Sequence, residues 1–147
     1  MDWLNVFIET LQEKMTDRNL NKVQLSRELG LDHSSVNSWF NKEFYPRIVN
    51  LIRIADLFGC SIDYLFGLSD VESFKPSKTP SDFLMRFDKL QVQNKVNDNR
   101  VATYCKIGSS AVAKWRRFKR YPETTAILKL VELFNCSIEY LIGRSDS

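Results

Sequence analysis

Histidine is nearly missing from this chain: His33 is the only one, and it stands with three scattered cysteines, Cys60, Cys105 and Cys136. Zinc needs about four clustered nitrogen or sulfur ligands, so no metal site is expected. An odd cysteine count is a poor disulfide framework, and the three are expected as buried, reduced thiols. Glycine is scarce too, at five residues, and none of them builds a phosphate-cradling loop. With no such loop, one histidine and no paired-carboxylate signature, neither an enzyme nor a cofactor is expected. No apolar run approaches the roughly 18 residues of a membrane span. The start MDWLNVFIETL is acidic and amphipathic, unlike a signal peptide. A cytoplasmic protein is the expectation.

What the chain does contain is a second copy of itself. The stretch CSIDYLFGLSD at 60–70 returns as CSIEYLIGRSD at 136–146. At that offset of 76, residues 7–70 align with 83–146 without a gap, and 17 of 64 positions are identical. The identities include Phe7/Phe83, Asn21/Asn97, Trp39/Trp115, Tyr45/Tyr121 and Pro46/Pro122, and ten of them fall between Leu57 and Asp70. Elsewhere apolar character is often kept, as in Leu25/Val101, Leu31/Ile107 and Ile54/Leu130. Such a period means one structural unit written twice. The expected division is a first domain at 1–70, a linker at 71–82 (VESFKPSKTPSD) and a second domain at 83–147. Each copy is near the lower size limit for a core that is stable alone.

Within a copy, the spacing predicts five short helices and no strand. Leu4, Phe7, Ile8, Leu11 and Met15 recur at helical intervals behind Asp2, giving a first helix over 3–16. Asn21 is a cap for a second, which stops at Gly30, where a left-handed residue is wanted. Asp32 caps a third, HSSVNSWF, only two residues later, and so tight a turn makes a helix-turn-helix unit. Pro46 opens a fourth that ends at Phe58 before Gly59, and Ser61 caps a last short one closed by Gly67. The second copy repeats the scheme, with Thr79, Pro80 and Asp82 at its start and caps at Asn97 and Ser137.

The net charge of +3 conceals an asymmetry: residues 1–72 hold 7 basic and 11 acidic side chains, and residues 73–147 hold 14 basic and 7 acidic. The second copy is therefore the one suited to a polyanion.

The order QLSRELG, LDHSSVNSWF, YP and LIRIADLFGCSIDYLFG resembles the Cro and lambda-repressor-like helix-turn-helix family, and both copies match over nearly their whole length. The resemblance implies an all-α fold of two tandem five-helix domains. It also implies a third helix that enters the DNA major groove and a second that crosses the backbone. Carried over by position, the base-facing residues are His33, Ser34, Asn37 and Ser38 in the first copy and Ser109, Ser110, Ala113 and Lys114 in the second. The loop behind the third helix points to phosphate contacts at Asn41 and Lys42 and at Arg117 and Lys119, within a run Lys114–Arg120 that adds Arg116 and Arg120. Two positions depart from the family pattern. The phosphate-clamping glutamine that begins the second helix is Lys22 in one copy and Asp98 in the other, where lysine can bind phosphate and aspartate would repel it. The turn glycine is Lys106 in the second copy, where a left-handed conformation costs roughly 1 kcal/mol.

Trp39, Trp115, Phe7, Phe83, Phe58 and Phe134 read as core, while Tyr45 and Tyr121 are open between packing on the loop and reaching a phosphate. The phrases at 60–67 and 136–143 are apolar enough to close each core and also to pair the copies as an intrachain pseudo-dimer, or two chains as a homodimer. The expected function is a sequence-specific DNA-binding transcriptional regulator, a repressor or a phage-type or mobile-element switch, bound to double-stranded DNA and not to a membrane. The rival reading is a protein-interaction module, antirepressor or antitoxin-like, that keeps the fold with weak DNA binding.

Overall fold

Apolar residues at helical spacing need a face to bury, and in the computed structural model, which describes residues 2–147, they find it. Trp3, Leu4, Phe7, Ile8, Leu11 and Met15 are buried along α1 (Trp3–Asp17), whose N-cap Asp2 accepts from the Asn5 N–H. Four further helices complete the first unit: α2 (Lys22–Leu29), α3 (His33–Phe40), α4 (Ile48–Phe58) and α5 (Ile62–Leu65). The second unit repeats them as α6 (Phe83–Asn94), α7 (Asp98–Cys105), α8 (Ala111–Phe118), α9 (Thr124–Phe134) and α10 (Ile138–Leu141). The described residues form ten α-helices and no strand beyond one bridge, Pro76 with Ser145, so the chain is all-α.

The chain separates into two compact units between Phe74 and Lys75, inside the 71–82 segment. Each half of that segment is tied to its own unit. The Ser61 N–H donates to the Glu72 carbonyl oxygen at 2.7 Å, and the Ser77 N–H donates to the Arg144 carbonyl oxygen at 2.9 Å. A cation of each first helix completes the tie. In the first unit Lys14 lies over the Tyr64 ring and pairs with Glu72. In the second, Arg86 lies 4.3 Å over Tyr140, donates to the Ser81 hydroxyl and the Ser145 carbonyl, and pairs with Asp146.

The helix stops show the repeat at the level of the backbone. Asn19, Gly30, Gly59 and Gly67 have φ of 55°, 67°, 65° and 70°, and their counterparts Lys95, Lys106, Asn135 and Gly143 have 55°, 55°, 51° and 85°. Lys106 thus adopts the left-handed conformation that Gly30 adopts, so the second helix of each unit stops in the same way without glycine in the second. Asn21 forms a full capping box with Gln24, and Asn97, Ser61 and Ser137 each accept from the backbone of the third helical residue.

Three local details differ from expectation. Pro46 precedes α4 without opening it: Arg47 is extended at ψ 158°, so helical geometry begins only at Ile48. Asp32 stands at the N-cap of α3 without a side-chain cap bond. Cys60 and Cys105 are buried, but Cys136 is only half-buried, and no disulfide joins described cysteines.

Both cores hold the predicted aromatics. Phe7 and Phe66 stack at 5.2 Å, and Trp115 meets Phe83 and Phe87 edge-on at 5.9 and 5.7 Å. Ile62, Leu65 and Phe66, like Ile138, Leu141 and Ile142, are at most 2% exposed. The apolar character of the repeated phrase is therefore accounted for by burial, with α5 packed on α1 and α4, and α10 on α6 and α9. Tyr45 is half-buried and its ring stacks on Phe66 at 6.4 Å. Tyr121 is half-buried, and burial pushes its hydroxyl above the ordinary tyrosine range.

Candidate nucleic-acid interface

The turn between the second and third helices decides which side chains the third helix offers. In the first unit, Gly30 ends α2 and α3 begins at His33, anchored by buried Val36 and Trp39. His33 and Ser34 are exposed, as are Asn41 and Lys42 just behind the helix. Asn37 and Ser38 are half-buried, and the Ser38 hydroxyl donates to the Ser35 carbonyl at 2.6 Å.

In the second unit Gly108 replaces Asp32, and the equivalent helix starts two residues later, at Ala111. Ser109 and Ser110 lie in the entering turn, where the Ala111 N–H donates to the Gly108 carbonyl oxygen at 3.0 Å. Both serines are exposed, together with Ala113 and Lys114 on the helix and Arg117, Lys119 and Arg120 at its end. Val112 and Trp115 are buried on the opposite side, which fixes the direction of the exposed face. Among the described residues no carboxylate pairs with Lys114, Arg117, Lys119 or Arg120. Four cations therefore stand together on one short helix and its exit, a concentration of like charge that favours a polyanion.

Arg116 is differently occupied. Its guanidinium donates to Asp98 at 2.6 Å, to Gln91 at 2.6 Å and to Asp88 at 3.2 Å, and it lies 5.3 Å from the Phe87 ring centroid. It thereby clamps α6, α7 and α8 to one another. The hydrogen bond from Arg116, ahead of that from Gln91, holds the Asp98 carboxyl below the usual carboxylate range. The repulsion expected of Asp98 is thus countered by a neighbouring cation.

The first unit solves the same problem with other chemistry. Lys22 and Phe40 occupy the positions equivalent to Asp98 and Arg116, and the Lys22 ammonium sits 4.8 Å over the Phe40 ring. A cation–π contact and an ion pair are alternative ways to join the second helix to the end of the third, each contributing on the order of 0.5–1 kcal/mol. Lys22 is exposed nonetheless, so its ammonium borders the same surface as α3.

Sequence reasoning passed over two side chains in this region. Phe44, in the loop behind α3, is 67% exposed, and Phe118, the last residue of α8, is 54% exposed. The signal was present in the repeat: position 42 pairs with 118 and 44 with 120, so Lys and Phe in one unit face Phe and Arg in the other.

Residues 11–65, from the middle of α1 to the end of α5, match a family model described as helix-turn-helix. No curated protein and no solved structure matches the chain. No helix among the described residues is long and apolar enough to cross a membrane, and no cluster of three potential metal-ligating side chains occurs among them.

Proposed function

We propose that the chain is a sequence-specific DNA-binding transcriptional regulator with two helix-turn-helix domains, acting by occupancy of its site as a repressor or switch. The observation that carries this reading is the exposed cation cluster Lys114, Arg117, Lys119 and Arg120 on α8 and the loop behind it, with no carboxylate to neutralise it. The helix-turn-helix match at 11–65 supports it from the other unit. In this reading α8 lies in a major groove, with Ser109, Ser110, Ala113 and Lys114 toward base edges and the remaining cations on phosphates. Arg116 takes a positioning role, because its three partners hold α8 against α6 and α7. The first unit offers His33, Ser34, Asn37 and Ser38 to a second groove and Lys22, Asn41 and Lys42 to the backbone. Its lower positive charge makes it the weaker half, useful once the second unit is bound because a tether raises local concentration. The two third helices differ in sequence, so the site bound is asymmetric, with two unlike half-sites.

Selection of bound duplexes from a random pool tests this. The expected outcome is one enriched sequence with two dissimilar half-sites, retained by a single chain. Recovery of no sequence above background, with no duplex shifted at low salt, would leave the fold serving protein interaction instead.

A further inference from the structure

Among the described residues the exposed large apolar side chains include two aromatics at the exit of a third helix, Phe44 in the loop behind α3 and Phe118 as the last residue of α8. Isolated exposed apolar residues are ordinary. Here, however, placement recurs, and so does composition. The aligned pairs 42/118 and 44/120 each hold one phenylalanine and one cation, in opposite order in the two units: Lys42 with Phe44, and Phe118 with Arg120. A phenyl ring and a cation two residues apart are thus kept while their order is exchanged.

These loops are held, not loose. In the first, the Lys42 N–H donates to the Trp39 carbonyl oxygen and the Glu43 N–H to that of Ser38, at 3.0 and 2.9 Å, and Pro46 is buried behind them. In the second, Lys119 turns the chain at φ 49°, and Pro122 is buried at the base. Two guanidiniums lie over the Phe118 ring, Arg117 at 5.3 Å and Arg120 at 5.1 Å from its centroid. An exposed ring accompanied by two cations suits a partner that alternates apolar and anionic groups at short spacing. The sugar-phosphate strand of DNA is such a partner, with deoxyribose between phosphates.

Resting on the DNA-binding reading above, we infer that Phe118, and Phe44 in the other unit, pack against a deoxyribose of the strand bordering the major groove. Arg117, Arg120 and Lys42 take the adjoining phosphates. The contact carries no base identity. It grips the backbone by burial as well as by charge and fixes how far the third helix can slide in its groove.

The test uses the full chain and a selected duplex. Phe118→Ala should weaken binding about tenfold, the effect of losing half a buried ring, and leave the slope of log affinity against log salt unchanged. Arg120→Ala should flatten that slope by about 0.9. Phe118→Trp supplies a direct readout, since the native Trp3, Trp39 and Trp115 are at most 8% exposed. The added indole should be quenched by acrylamide in the free protein and shielded in the complex. Wild-type affinity for Phe118→Ala, with an indole still quenchable in the complex, would overturn the inference while leaving DNA binding intact. Stronger binding to single strands than to duplex would mean base stacking and would overturn it too. So would a self-association in sedimentation that Phe118→Ala abolishes. A wild-type chain that binds no duplex would instead remove the functional reading itself.

Discussion

Lys114 and Arg117 are both exposed and lie three residues apart on α8, yet they have different expected roles. On the proposed reading Lys114, in the middle of the helix, faces base edges, and Arg117, at its end, faces the backbone. Lys114→Ala should cost about 1–3 kcal/mol on the preferred site and relax discrimination at one base pair. Arg117→Ala should weaken all duplexes by one common factor, as measured by titrating specific and random DNA in parallel. Cys105 shows the opposite situation, a group removed from solvent. Burial pushes its thiol up to about 11. Only about one thiol in a thousand is then ionised at pH 8, so iodoacetamide should leave Cys105 untouched until the protein unfolds. The glycines divide as sharply. A Cβ on Gly143 would sit 1.7 Å from the Ser81 carbonyl oxygen, whereas one on Gly59 meets nothing within 4 Å. Gly143→Ala should therefore lose about 3 kcal/mol or more in urea melts. Gly59→Asn should lose about 1 kcal/mol or less, since Asn135 already holds that conformation in the other unit.

At the scale of elements, the joint between the second and third helices carries the main contrast between the two units. Asp98 and Arg116 replace Lys22 and Phe40, so a single exchange is worse than the double one. Asp98→Lys alone would set two cations together, and Arg116→Phe alone would leave Asp98 without its main donor. A double-mutant cycle on stability should give a coupling of about 1 kcal/mol, with Asp98→Lys/Arg116→Phe nearer wild type than either single change. The sign of the acid response follows from the depressed Asp98 carboxyl. Its contribution is complete above the unfolded carboxylate value, near 3.9, and disappears as pH falls through the lower folded value. Asp98→Asn should accordingly show a shallower loss of stability than wild type between pH 5 and 2, followed by urea melts. Much of this level could be read from residues alone. The caps Asn21, Asn97, Ser61 and Ser137 and the stops Gly30, Gly59 and Gly67 announce helix ends, because each is settled by chemistry within a few residues. The direction of Arg116 could not be, because its partners Asp88 and Gln91 lie on α6, more than 20 residues away. The late start of α8 was hidden as well, since a two-residue delay behind Gly108 leaves the alignment unbroken.

For the molecule as a whole, the two units share a helix order and differ in charge, and on the proposed reading they offer DNA two unlike surfaces. The first unit keeps an excess of acid and the second an excess of base, while core residues and the left-handed residues 19/95, 30/106, 59/135 and 67/143 stay in register. On the proposed reading, that charge pattern concentrates DNA affinity in the second unit. From composition alone, five cations of the run 114–120 would be counted toward phosphates. With Arg116 held by Asp98, Asp88 and Gln91 and Lys114 directed to a base edge in the proposed reading, Arg117, Lys119 and Arg120 remain, and Lys22 and Lys42 of the first unit bring the phosphate contacts to five. The most direct measurement is therefore the salt dependence of duplex binding by the full chain, wild type against Lys119→Ala/Arg120→Ala. Five neutralised phosphates predict a slope of log affinity on log salt near −4.5 for the wild type, falling to about −2.7 for the double variant. A slope indistinguishable from zero, or one that the double substitution leaves unchanged, would contradict DNA binding through α8 and its loop.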